Sequence, residues 1–169
     1  IVYNFYRQYP DLLFPGKSQY DTQYIVDKSY NAVRMIDSIN PITWRRVADH
    51  IIQNNFEKVI FRYWTPFFIP CYISITKRLK KYNKNISIYA ICDNIISHEN
   101  FIAQIFFLKQ FLNKLNGIII MSSSVENELF DLNKSYNYKK LFLPIPTSLG
   151  EILDYTYSKG EIGLEVNKK

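Results

Sequence analysis

Apolar and polar positions change their period several times along this chain, and each change marks an element. Ile1 to Tyr6 alternates and is rich in β-branched and aromatic residues, which predicts a strand. Gln8 to Gln23 carries Pro10, Pro15 and Gly16 and reads as a loop, and Asn31 to Ile36 as a short strand. Asn40-Pro41 is a helix start, with Asn as N-cap and Pro at the first helical position. Behind it Trp44, Val47, Ala48, Ile51 and Ile52 form the apolar stripe of an amphipathic helix that ends near Asn54-Asn55. Lys58 to Tyr63 is an apolar, strand-like run, and Pro66 to Leu79 reads as a helix with Pro70 in its early turns. Strands follow at Ile86 to Cys92, Gly117 to Met121 and Lys140 to Leu143, separated by helices at Glu99 to Leu115 and Ser122 to Leu132.

Strand and helix thus alternate through short links, the pattern of an α/β protein with a parallel sheet and helices on both faces. Several strands are short continuous apolar runs, as expected where both faces are covered. Ligands of such sheets lie beyond the C-terminal strand ends. Those ends are Arg62 to Pro66, Asp93 to Glu99, Ser122 to Ser124 and Pro144 to Thr147.

Composition narrows the class. With 169 residues, 47% of them hydrophobic and 17% aromatic, the chain can bury a proper core, which excludes a disordered segment. The longest apolar stretch, near Trp64 to Ile75, holds two prolines and is too short to span a bilayer. The opening Ile1-Val2-Tyr3-Asn4 lacks a secretory pattern, and Cys71 and Cys92 have no metal-site spacing; both read as reduced, buried thiols of a cytoplasmic protein. The net charge of +6 includes a cluster of Lys77, Arg78, Lys80, Lys81 and Lys84. That cluster suits an anionic surface, but equally the solvated C-terminal turns of a helix. Nucleic-acid binding would rest on charge alone and is not expected.

Five segments, in order, give the chain a resemblance. They are Phe5-Tyr6-Arg7-Gln8-Tyr9-Pro10 with Leu13-Phe14-Pro15-Gly16-Lys17; Asp37-Ser38-Ile39-Asn40-Pro41 with Trp44; Tyr63-Trp64-Thr65-Pro66-Phe67-Phe68; Cys92-Asp93-Asn94-Ile95-Ile96-Ser97-His98-Glu99; and Met121-Ser122-Ser123-Ser124-Val125. Through nearly its whole length the chain resembles family 4 glycosyltransferases, the retaining group with two facing Rossmann-like domains known as GT-B. The resemblance implies a Rossmann-like N-terminal, acceptor-side domain at residues 1–150, lacking its first strand, and an interdomain linker or tail at 151–169. It implies transfer of a sugar from a nucleotide-diphosphate sugar, the donor substrate, to a glycan or lipid-linked acceptor. No cofactor and no protein-bound metal are implied. The second, C-terminal domain would supply most of the donor site, so the isolated chain is expected to be inactive. The location implied is cytoplasmic, peripheral on the inner membrane face if the basic helix end docks on anionic lipid.

The resemblance places Asp93, His98 and Glu99 at the catalytic cleft. It places Arg7, Tyr9, Lys17, Arg62, Thr65, Asn94, Ser122 and Ser123 around the substrates. Each has a plainer reading beside it. Glu99 in a first helical turn satisfies free N–H groups, and Ser122 and Ser123 suit a helix cap as well as an anion. Arg62 can grip a phosphate or form a structural ion pair. Tyr9 can stack on a sugar or need no ligand, and Trp64 reads as a core anchor. Asp93 and Thr65 stand where the family usually has His, and Ile145 replaces another. A carboxylate accepts hydrogen bonds from sugar hydroxyls but cannot donate as a neutral imidazole does. A non-catalytic GT-B-like binding module or partner subunit is therefore the alternative. A flavodoxin-like regulatory domain ranks lower, because no phosphate loop or acidic pocket is visible.

Overall fold

A computed structural model of the chain describes residues 1–10, 31–96 and 102–142, the side chains of 102 and 103 excepted. The fold is α/β with parallel sheets. β1 (Val2–Arg7) and β2 (Ala32–Asp37) form one parallel pair, with register shifts after Asn4 and after Phe5. After α1 (Pro41–Gln53) come β3 (Lys58–Tyr63), a 3-10 turn (Pro66–Phe68), α2 (Ile69–Tyr82), β4 (Ser87–Cys92), α3 (Ile102–Leu112), β5 (Gly117–Ile120), α4 (Ser123–Leu132) and β6 (Tyr138–Lys140). Strands β3-β4-β5-β6 make a second, all-parallel sheet in sequence order.

Local chemistry sets the element ends. Asn40 Oδ1 accepts from the Ile42 N–H at 3.0 Å while Pro41 opens α1, as the sequence predicts. α1 stops where Asn55 turns left-handed (φ 54°) and the Asn55 and Phe56 N–H groups bond back to Ile52 and Ile51. The helix expected over Pro66 to Leu79 is split. Thr65 caps a 3-10 turn at Pro66, and α2 starts at Ile69, so Pro70 falls in its first turn, where no N–H is needed. The last strand also differs from expectation, lying at Tyr138–Lys140 rather than Lys140 to Leu143. The Tyr138 ring packs edge-on against Phe130 and its hydroxyl reaches Glu126, whereas Phe142 is 98% exposed; the apolar run marks the strand's exit.

β3 and β4 each step in one direction along the sheet, and right-handed crossovers put their helices on the same face. Burial follows: Phe61 and Tyr63 in β3 and Ile88, Ala90 and Cys92 in β4 are buried, while Ile60 is 59% exposed. α2 packs between α1 and α3. The core centres on Phe61, Tyr63, Tyr72 and Phe111, with Phe61 and Tyr72 ring centres 4.8 Å apart. Phe68, fully buried, packs against Phe5 of β1, Trp64 after β3 and Tyr72 of α2, and so ties the two sheets together. Burying one such ring contributes about 1.5–3 kcal/mol. Among the described residues no helix is long and apolar enough to cross a membrane.

Candidate functional site

The C-terminal strand ends form one rim. At the end of β3 the Arg62 Nε donates to Asp93 Oδ2, the residue after β4, at 2.8 Å. The register makes this inevitable, since Arg62 and Tyr63 lie opposite Ile91 and Cys92, and the Asp93 N–H bonds to the Tyr63 carbonyl. Arg62 keeps its two terminal amino groups for another acceptor, and its side chain is 55% exposed. Arg62 engages one of the two Asp93 oxygens, so the carboxylate retains acceptor capacity toward a hydroxyl. Asn94 donates to the Trp64 carbonyl at 3.3 Å, which ties the two loops together.

The loop after β4 is pinned from α4. Glu128 Oε2 accepts from the Ile95 N–H at 2.9 Å and the Ile96 N–H at 3.1 Å. The Tyr63 hydroxyl donates to the Ile95 carbonyl at 3.2 Å from within the core. Cys92 beneath is pushed up to about 12, by burial first and then by the Asp93 charge, so it stays a thiol. Burial, then Asp37, likewise raises Cys71 to about 12.

A second cluster stands at the ends of β1 and β2. Asp37, whose side chain is 2% exposed, pairs with Arg7 and accepts from the Ile39 N–H at 3.1 Å and the Tyr6 hydroxyl at 3.3 Å. Burial works to raise its pKa, but Arg7, Ile39 and Tyr6 together outweigh it and hold the carboxyl below its usual range. Its own carbonyl accepts from Trp44 Nε1 at 2.6 Å, which fixes the start of α1. Tyr9 lies between, its ring 5.5 Å from Phe67 and 5.6 Å from Phe68. Packing thus holds the half-buried Tyr9.

At the end of β5, Ser122 caps α4 by accepting from the Val125 N–H at 3.2 Å. Lys140 reaches the Ser123 hydroxyl at 3.3 Å and pairs with Glu126. Lys140 first and Tyr138 second hold Glu126 below its ordinary range. Thr65 Oγ1 meets the Phe67 N–H at 3.5 Å, a capping role.

The structure therefore gathers Arg62, Thr65, Asp93 and Asn94 at one place on the rim. Arg7 and Tyr9 lie toward one side of it, Ser122 and Ser123 toward the other. Lys17, His98 and Glu99 lie outside the described residues. Sequence reasoning gave no site role to two organising carboxylates, Asp37 within a resemblance segment and Glu128 outside them. Asp37 sits at a strand end directly before a capped helix, a signal that was available; Glu128 lies mid-helix and has no local signature. In the basic cluster, Arg78 pairs with Asp49 and Lys80 donates to the Ile86 carbonyl at 2.6 Å, so two of its cations serve the fold. Compared with protein-family models, curated proteins and solved structures, the chain matches none.

Proposed function

We propose that this chain is the acceptor-side half of a retaining, nucleotide-sugar-dependent glycosyltransferase. The observation that carries the reading is the Arg62–Asp93 pair, 2.8 Å apart across the C-terminal ends of adjacent parallel strands. It offers a partly exposed cation and a carboxylate where α/β sheets bind ligands. Each of the five segments with family resemblance includes or directly follows the C-terminal end of a strand, from β1 to β5. Asp93 accepts hydrogen bonds from hydroxyls of the transferred sugar, while Arg62 adds positive charge toward the diphosphate. His98, Glu99 and Lys17 complete the cleft in this reading, and Ser122 and Ser123 offer hydroxyls at a helix N-terminus. Donor binding falls mainly to a second domain, and half a cleft cannot align the two substrates.

The experiment is donor hydrolysis and transfer by the full-length gene product across a panel of nucleotide sugars, with Asp93→Ala alongside. Turnover that disappears in the variant supports the reading. One observation favours a second reading, a non-catalytic binding module: Asp93, Thr65 and Ile145 stand where the resembled family usually has His. Absence of both turnover and donor binding in the intact protein would decide for that module.

A further inference from the structure

α2 and α3 pack side by side on one face of the sheet, so their outward sides form one surface. Tyr72, Ile75 and Leu79 turn α2 toward the core, and Leu108, Phe111 and Leu112 do the same for α3. Helical spacing then puts Ser74, Lys77 and Lys81 on the outer side of α2, and Phe106, Lys109 and Asn113 on that of α3. α3 is apolar almost all round, with Gln104, Lys109 and Gln110 as its polar residues. Phe106 is 58% and Phe107 47% exposed, and their rings meet edge-on, 5.6 Å apart. Two adjacent phenylalanines on the outside of a helical layer mark an interaction surface.

The charge around them has one sign. Neither α2 nor α3 contains Asp or Glu. The Asp49 carboxylate of α1 is occupied by Arg78 and Arg45. Arg78 and Lys80 serve the fold, but among the described residues Lys77, Lys81 and Lys84 form no ion pair, and all three are exposed.

We propose that this outer face of α2 and α3 docks on the surface of an anionic lipid bilayer. The lysines meet the headgroups, their aliphatic stems lying along the interface, and Phe106 and Phe107 enter among the upper acyl chains. A nucleic-acid duplex would match the lysines but leave both rings in water. Arg62 alternates with Phe61 and Tyr63, so it points to the other side of the sheet and stays open when the face is docked. Docking requires no sugar transfer, so this face and the transferase reading fail separately.

The test is co-sedimentation of the 169-residue chain with phosphatidylcholine vesicles, with and without ~30% phosphatidylserine, in about 0.1 M salt. Saturable binding to the anionic vesicles is expected, at least about tenfold tighter than to neutral ones. Lys77→Ala/Lys81→Ala should weaken it about tenfold or more, and Phe106→Ser/Phe107→Ser by a similar factor. Lys58 and Lys139 lie on the sheet face away from the helices, because Phe61 and Tyr138, at the opposite parity of their strands, face them. Lys58→Ala/Lys139→Ala removes the same charge from that face and should leave binding within about twofold. All six side chains are exposed, so circular dichroism should not change. No binding to anionic vesicles overturns the proposal. Equal losses in the two lysine pairs, or no loss in the phenylalanine pair, overturn it in favour of diffuse attraction by net charge. Tighter binding to single-stranded RNA than to vesicles, lost in the phenylalanine variant, overturns it in favour of nucleic acid.

Discussion

Arg62 and Asp93, 31 positions apart, meet at 2.8 Å because β3 and β4 pair in parallel and end level with one another. Their side chains are 55% and 29% exposed, so the pair is screened and contributes at most about 1 kcal/mol to stability. Asp93→Ala and Arg62→Ala should each shift the urea midpoint only slightly. On the proposed transferase reading the same substitutions should remove most sugar transfer. A large loss of stability instead would make the pair a structural one.

Asp37 should behave in the opposite way. Three donors hold its nearly buried carboxylate, so Asp37→Ala is expected to cost about 3 kcal/mol in denaturant unfolding at neutral pH. Its folded pKa lies below the ordinary value of 3.8, so the unfolded chain binds its proton first as pH falls. The contribution is therefore complete well above 3.8 and disappears as pH drops through the lower, folded value. Wild type and Asp37→Asn should converge in stability at strongly acidic pH and diverge above it. A difference that does not change with pH would show that Asp37 acts through packing alone.

Glu128 holds two main-chain N–H groups of the Asp93 loop. Glu128→Ala leaves both without their acceptor, at a cost of about 2 kcal/mol, and should speed amide exchange at Ile95 and Ile96. Glu128→Gln keeps an oxygen in place and should restore most of the protection. Exchange unchanged in the alanine variant would mean that the loop is held by the Tyr63 hydroxyl instead.

Phe68 is the aromatic hub between the sheets. Phe68→Ala should destabilise by about 3–5 kcal/mol, more than most surface changes combined. Because Phe5 and Tyr9 lose their packing partner, β1 amides should exchange faster than those of β4. Uniform acceleration across both sheets would mean that they unfold as one unit.

Much of this was legible in the sequence. The Asn40-Pro41 start, the α1 stripe and the Ser122 cap act through groups a few residues apart, and such spacing is written directly in the chain. The Pro66 segment and the last strand were misjudged at their ends, where a threonine cap and a tyrosine contact outweighed the apolar pattern. Arg62 and Asp93 were both singled out from the chain, but their pairing was not.

By itself, then, the sequence determined the alternation of strands and helices, the parallel α/β class and which residues stand at the C-terminal strand ends. The pairing of Arg62 with Asp93, the burial of Asp37 under Arg7 and the hold of Glu128 on Ile95 were decided only by the tertiary structure. The reason is range: periodicity and capping depend on hydrogen bonds within a turn or a strand, whereas these contacts join residues about 30 positions apart and exist only once strand order and register are fixed.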